Sequence, residues 1–519
     1  MENKRLHIKA TEEAITVYWE KMAGEQGLRY RIYLNGTQTA ETEKTHGTLE
    51  GLKERTAYEL SVRAVLGTEK NGEPKEELIW ESNCTAHTQK RKRRIDITQA
   101  PYLAKGDGKA LNTAAIQQAI EDCKEDEMVY VPTGTFLTGA LTLHDHMELY
   151  LEEGAVLQGS SNPEDYLPRI PSRFEGTERE CYQSLLNLGV MDHRAGCASG
   201  NVLIRGKGTI SGGGRLLAER MMAAERERLK EYIHSLGDKV LECENANTIP
   251  GRTRGRLIQL CNAKNVRITG LTLQNGPGWN VHMIYSEQIV TDHCIFRSEN
   301  IWNGDGWDPD SSSDCTIFAC TFYTGDDSVA IKSGKNPEGN EIGRPCSHIR
   351  IFDCTCAYGH GITMGSEMSG GIEDVAIWDC DLGNSLYGLE IKGTKKRGGF
   401  VRDISVRGCR LPRILMHSVL YNNDGEGAPV PPVFEKCLFE DMDILGRYMD
   451  KDREYQPCRA IELEGFDEEG YEIRGIVFRR IRLGCQEFQT QPEIFMKYCK
   501  EISLEDVSTI SPSDSAGTI

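Results

Sequence analysis

The residues with most capacity for chemistry lie in one stretch, NGDGWDPDSSSDCTIFACTFYTGDDSVAIKSG, which holds Asn303, Asp305, Asp308, Asp310, Asp314, Asp326 and Asp327. Acidity alone decides nothing, because charged residues belong at protein surfaces anyway. Spacing says more: Asp305 precedes Asp326 and Asp327 by 21 and 22 residues. A chain that coils with about that period stacks all three carboxyls on one patch. Carboxyls gathered in this way repel, so one holds a proton while another stays ionised. Cleavage of a glycosidic bond needs that division: an acid protonates the leaving oxygen while a carboxylate activates water or attacks the sugar. A hard cation such as calcium would also suit an Asp-rich cluster. On spacing alone the two chemistries stand level.

The elements that must position these residues repeat. Segments of one grammar recur at NVLIRGKGTISG, NVRITGLTLQN, QIVTDHCIFRS, DCTIFACTFYT, HIRIFDCTCAYG, DVAIWDCDLGN, VRDISVRGCRLP and EISLEDVSTI, most of them about 23 to 32 residues apart. Each has two or three short β-rich stretches broken by Gly, Asn or Asp, which predicts a mostly β solenoid, a parallel β-helix. Its interior absorbs most of the 18 cysteines as small apolar residues, without disulfide or zinc chemistry. A helix-like segment, Asn112 to Cys123, precedes the coils. One segment breaks the grammar: residues 216–237 carry apolar residues at helical spacing from Leu217 to Leu236, with Gly237 as a cap, predicting a helical insertion that walls one end of a cleft. Residues 1–90 read differently. Ile15, Val17 and Trp19, then Tyr30, Ile32 and Leu34, then Tyr58, Leu60, Val62 and Ala64 alternate with polar residues around turns such as Asn35-Gly36, predicting a small antiparallel sandwich. The basic run from Lys90 to Arg94 reads as a solvated linker to a second domain, 91–519.

Composition narrows the function. A net charge of -18 argues against nucleic acid, whose binding needs clustered Lys and Arg. The first residues lack a signal-peptide pattern, and no run approaches the roughly 18 to 20 apolar residues of a membrane span, so the expectation is a cytoplasmic protein without a membrane partner. Oligomeric state is left open.

Two further coils supply Gly359-His360-Gly361 and Gly388-Leu389-Glu390-Ile391-Lys392. With Asn303-Gly304-Asp305 and Gly325-Asp326-Asp327 they form an ordered series that resembles glycoside hydrolase family 28, the polygalacturonases, over roughly residues 95 to 510. Residues 6 to 88 resemble a fibronectin type III module, with Trp19 as its core tryptophan and GLKERTAYELSVRAV as a late strand. The family 28 resemblance implies a right-handed, pectin lyase-like β-helix and hydrolysis of α-galacturonide links with inversion, on a galacturonate-containing oligosaccharide, without metal or cofactor. It implies Asp326 as general acid, Asp305 and Asp327 as holders of the attacking water, His360 as a tuner of the acid, and Asn303 and Lys392 as sugar contacts. Exo-acting members of the family resemble this chain in carrying an amino-terminal fibronectin module. One departure stands out: Glu390 occupies the position where the family has Arg, and a carboxylate would repel a uronate. Lys395, Lys396 and Arg397 follow closely and would restore a positive field. Trp279 and Trp307 are candidates for stacking on sugar and equally for packing, and Arg252, Arg254 and Arg256 read as solvated loop charges. The alternatives are a rhamnogalacturonan-directed hydrolase, a calcium-dependent pectate lyase and a non-catalytic glycan-binding β-helix.

Overall fold

The computed structural model describes residues 6–22, 27–70, 73–237, 251–420, 425–484 and 494–510. The chain divides into two compact units, Met1–Arg93 and Arg94–Ile519.

In the first unit period-two alternation sends one face of each strand inward. His7–Ala10, Ile15–Tyr18 and His46–Leu49 form a three-stranded antiparallel sheet, and Thr37–Thr42, Leu28–Leu34, Ala57–Lys70 and Glu73–His87 a four-stranded one. Val17, Trp19, Tyr30, Ile32, Leu60 and Val62 fill its core, with Trp19 edge-on to Tyr30 at 5.1 Å. The Asn35-Gly36 turn has φ of 49° and 78°, the left-handed pair that a tight hairpin between twisted strands requires. Trp19 and Tyr58 are core residues here.

The second unit is a parallel β-helix. Its described strands stack coil on coil into three long parallel sheets, in each of which neighbouring strands come from successive coils in chain order and are joined through the other sheets. The sheet that matters for chemistry runs through Leu186–Leu188, Ile258–Cys261, Val281–Ile284, Trp307–Asp310, Val329–Ile331, Gly361–Met364, Gly388–Gly393, Ile414–Ser418 and Ile461–Glu464. Along it Val281, Met283, Trp307, Val329, Ile331, Ile362, Met364, Leu389 and Ile391 all enter the core. Alternation therefore turns Asp308, Asp310, Lys332, Thr363, Glu390 and Lys392 to the outer face. Asn262, Tyr285 and Ser311, each directly after a strand of this sheet, take positive φ and make the corner into the next sheet.

Cysteines serve the core. Cys294, Cys320, Cys354, Cys380 and Cys409 recur on successive coils, all buried and none in a disulfide. Backbone N–H groups of Cys294 and Cys380 donate to the next thiol of that row at 3.4 Å. Phe318, Phe352 and Trp378 form a second row, stacked at 4.8 and 4.4 Å.

Two expectations need correction. The basic run is not all linker, because Arg93–Asp96 is the edge strand of the largest sheet and Arg94 sits over the Tyr130 ring at 4.5 Å. The insertion is helical from Gly214 to Arg228 and again from Lys230 to Ser235, but only the first helix packs: Leu217, Ala218, Met221 and Glu225 are buried, and the second helix buries nothing. Among the described residues no helix is long and apolar enough to cross a membrane.

Candidate active site

Register explains how the site assembles. Trp307 pairs with Val329, Val329 with Ile362 and Ile362 with Leu389. The residues just ahead of these strands must then stack as well. Backbone bonds tie them together: Gly306 N–H donates to Asp327 O at 3.0 Å, His360 N–H to Asp326 O at 3.0 Å and Tyr387 N–H to His360 O at 2.9 Å. The glycines around His360 are forced by this closeness. A Cβ on Gly359 would lie 2.2 Å from Thr324 Oγ1, one on Gly361 would lie 2.2 Å from Gly388 O, and both residues hold positive φ.

Asp305, Asp326, Asp327 and His360 converge on a pocket of about 290 Å3, together with Asn303, Trp279, Tyr387, Lys392, Arg397 and Lys332. His360 Nδ1 lies 3.0 Å from Asp326 Oδ1 and 3.5 Å from Asp327 Oδ1. Burial disfavours an imidazolium there, yet the two carboxylates outweigh it and raise the His360 pKa to about 10. Asp327 feels burial upward, but Lys392 and His360 pull it down to about 2, and Thr363 Oγ1 donates to it at 2.8 Å. Asp305 is buried and lifted to about 7, against the pull of Lys332, whose Nζ donates to its Oδ2 at 3.0 Å. Asn303 Nδ2 reaches Asp326 Oδ2 at 3.5 Å, and its own Oδ1 accepts from Arg254 at 2.8 Å. Oxygen and nitrogen atoms of Asp326, Asp327 and His360 lie within 4.8 Å of one another, close enough to share a cation. The proton on His360 supplies one.

The side of the pocket comes from a hairpin, Ile170–Phe174 with Thr177–Cys181, that the sequence reading passed over. It is pinned to successive coils: Ser172 Oγ donates to Gln259 at 2.6 Å, Arg173 bonds Tyr285 and, at 2.6 Å, Asp310, and Lys335 N–H donates to Gly176 O at 2.8 Å. Its turn residue Glu175 lines the pocket and pairs with Arg252 at 3.4 Å. The helical insertion contributes no lining residue among those described; it braces the hairpin's base through an Arg169 to Glu225 ion pair.

Comparison with known proteins fits this geometry. The sequence model described as Glycosyl hydrolases family 28 matches residues 197–424, the segment that carries every coil of the site. A probable polygalacturonase of Vitis vinifera is 34% identical over 356 residues, 65% of this chain and 66% of that protein. The chain belongs to glycoside hydrolase family 28. An exo-poly-alpha-D-galacturonosidase of Dickeya chrysanthemi is 30% identical over 390 residues, 72% of this chain and 63% of that protein. The chain thus spans about two thirds of the length of both curated relatives. Among solved structures, the family 28 exopolygalacturonase of Yersinia enterocolitica superposes with a TM-score of 0.78 at 21% identity, over 98% of this chain and 99% of that one, and shares its fold.

Within this family 28 site several expected residues take other places. Lys392 lines the pocket, but in the register it follows Lys332 and Gly365, five residues along the coil from the row of His360. Glu390 lies 1% exposed beneath the surface, where Lys392 Nζ donates to it at 2.7 Å and His417 Nε2 lies 2.8 Å away. It anchors a cation instead of confronting the sugar. Lys395 is exposed and outside the pocket lining, whereas Arg397 lines it, donating to Ser366 O and Asn336 Oδ1. Trp307 belongs to the core. Trp279 reaches the pocket, but it is 4% exposed and its ring carries Arg256 at 4.3 Å and Lys332 Nζ at 3.8 Å, so little of it is available to a sugar. Arg252, Arg254 and Arg256 are buried against Phe174, Trp279 and Trp302 and are not solvated loop charges. Lys332 was legible in retrospect: Ile331-Lys332 and Ile391-Lys392 repeat one pattern on two coils, and parity puts both lysines outside.

Proposed function

We propose that this family 28 chain hydrolyses α-galacturonide links in short pectin-derived oligosaccharides, acting from a chain end and with inversion. The charge balance of the pocket carries this reading. Arg252, Lys332, Lys335, His360, Lys392 and Arg397 face Glu175, Asp305, Asp326, Asp327 and Glu367. Six cations meet five carboxyls, one of which must be protonated to act as an acid, so the reactive pocket is positive inside a chain of net charge -18. Such local fields attract anionic sugars whatever the overall charge.

In this reading Asp326, a carboxylate partner of His360 in the free protein, takes up a proton once the oligosaccharide fills the pocket and passes it to the leaving oxygen. As it ionises, the His360 imidazolium 3.0 Å away gains a full carboxylate partner, an interaction stronger in the transition state than before it. Asp305 and Asp327 hold the attacking water and one of them accepts its proton; inversion places that water on the face of the sugar opposite the acid. Lys392, steadied by Glu390, meets a sugar carboxylate. Action from a chain end is supported by the pinned hairpin, which occupies one side of the concave face, and by the name of the Dickeya relative.

We read the amino-terminal unit as a fibronectin type III-like module. Its three- and four-stranded antiparallel sheets support this, as does Tyr58, whose hydroxyl accepts from Lys53 N–H at 2.9 Å in the manner of the tyrosine that pins a corner of such sandwiches.

The experiment is digestion of defined oligogalacturonides and rhamnogalacturonan oligomers, with products separated by chromatography and their anomers followed by NMR. Monomeric galacturonic acid appearing first as the β-anomer is expected. Retained configuration, or an ultraviolet-absorbing product abolished by chelator, would overturn the proposal.

A further inference from the structure

Asp308 is a carboxyl that the proposed reaction does not use. It is 0% exposed, and neither oxygen has a hydrogen-bond donor. Its side chain is within hydrogen-bonding reach of Asp305, whose Oδ1 also lacks a donor. Two ionised carboxylates are acceptors only, so facing oxygens of this kind need a proton between them. One cation serves both: Lys332 Nζ lies 3.0 Å from Asp305 Oδ2 and 3.5 Å from Asp308 Oδ1, and is itself 4% exposed against the Trp279 ring.

We propose that Asp308 and Lys332 are positioning residues for the water-activating Asp305: Asp308 stays a neutral acid that donates to Asp305 Oδ1, while Lys332 spends its charge on Oδ2, so that Asp305 is the member of the pair able to ionise. The division follows from geometry. The ammonium is closer to Asp305, and Asp305 opens to the pocket while Asp308 does not. The other charges facing Asp305 do not reverse it. Asp326 and Asp327 press on it from the next coil, and Arg254 and Arg256 attract it from the segment before. Burial drives Asp308, like Asp305, well above the usual carboxyl range. The pair titrates as a unit, its proton resting on the member that water cannot reach.

The inference rests on the proposed reaction only for its kinetic readout. With oligogalacturonide as substrate, Asp308→Asn keeps a donor toward Asp305 and should leave the acidic limb of the kcat/KM profile in place, with the rate within about threefold. Asp308→Val removes the donor and Lys332→Met the cation; each should move that limb upward by about one pH unit or more. A merely structural role would lower rates without moving the limb. Movement downward in both Asp308 variants would mean that Asp308 is charged in the native protein, and would overturn the proposal. Infrared spectroscopy reads the same proton without any activity: the protonated-carboxyl band present at pH 8 should persist in Asp305→Asn and vanish in Asp308→Asn. Absence of that band from the native protein also overturns it. Failure to cleave galacturonides, with the band as expected, would count against the proposed substrate and leave this proton where it is placed.

Discussion

His360 gives the site a signature in stability that does not depend on any substrate. Its ring stands 3.0 Å from Asp326 and 3.5 Å from Asp327, and the two carboxylates hold its proton up to about 10 against an ordinary value of 6.5. A group whose folded pKa is raised stabilises fully below its unfolded value and loses that contribution as pH climbs through the folded one. The window is therefore pH 6.5 to 10. The gap caps the effect at about 5 kcal/mol, taking ~1.4 kcal/mol per pH unit. Solvent reaching a ring that is 29% exposed brings it to the order of 3 kcal/mol. Urea unfolding of the native protein and of His360→Gln at pH 6 and pH 10 measures it. The native protein should lose about 3 kcal/mol more than the variant between those values. Parallel stability curves, or a His360 resonance titrating near 6.5, would show that the ring is neutral and would remove the charged partner assigned to Asp326. Asp327 has the opposite sign: lowered to about 2, its contribution is present above the ordinary carboxyl range and is lost as pH falls toward 2.

Three substitutions probe the remaining parts. Asp326→Asn should lower kcat about 10^3-fold, because it deletes a proton donor but keeps the shape, and should lower the melting temperature at pH 7, because His360 loses its nearer carboxylate; a loss of rate below tenfold would place the acid elsewhere. Glu390→Gln should raise KM for oligogalacturonides about tenfold and cost about 3 kcal/mol of stability, since Lys392 and His417 both lose their buried counter-charge. An improved KM would instead mean that Glu390 repels the substrate. Arg173→Met leaves Asp310 buried without its 2.6 Å partner, at about 3 to 5 kcal/mol, and frees the hairpin. Products should then shift from monomer toward longer oligomers, as chromatography of the digest will show.

Much of this was legible in the residues because a solenoid turns sequence spacing into position. The 22-residue step from Asp305 to Asp327 is the register step from Trp307 to Val329, so the acidic patch follows from the repeat. Cysteine placement was legible for the same reason, each coil presenting one small apolar side chain to the next. Legibility ended where coils are unequal. The step from Val329 to Ile362 is 33 residues and that from Ile362 to Leu389 is 27, so spacing alone does not tell that Tyr387, and not Lys392, shares the row of His360. The hairpin at 170–181 was silent because it has no counterpart on other coils, and its decisive residue, Arg173, meets Asp310 across 137 positions. Exposed and buried arginines look alike in sequence, and only the aromatic wall of Phe174, Trp279 and Trp302 makes Arg252, Arg254 and Arg256 interior residues.

Glu390 shows how a single departure from a family pattern is absorbed by the surrounding fold. Strand parity puts it on the outer face, next to a pocket that needs positive charge, so an exposed carboxylate there would oppose binding. Its neighbours on the same face remove the conflict: Lys392, two residues on, and His417, one coil on, occupy both of its oxygens. The carboxylate thereby fixes an ammonium whose four-carbon stem would otherwise be free to swing. The positive field that an arginine would have supplied from this strand comes from segments outside the repeat, Arg252 beside the hairpin turn and Arg397 after the strand. Cations placed on irregular segments are set by each chain's own insertions, whereas those on strands are set by the coil. In the proposed reaction, sugar preference falls to the hairpin and the residues after Lys392, and bond cleavage to the aspartates one coil apart.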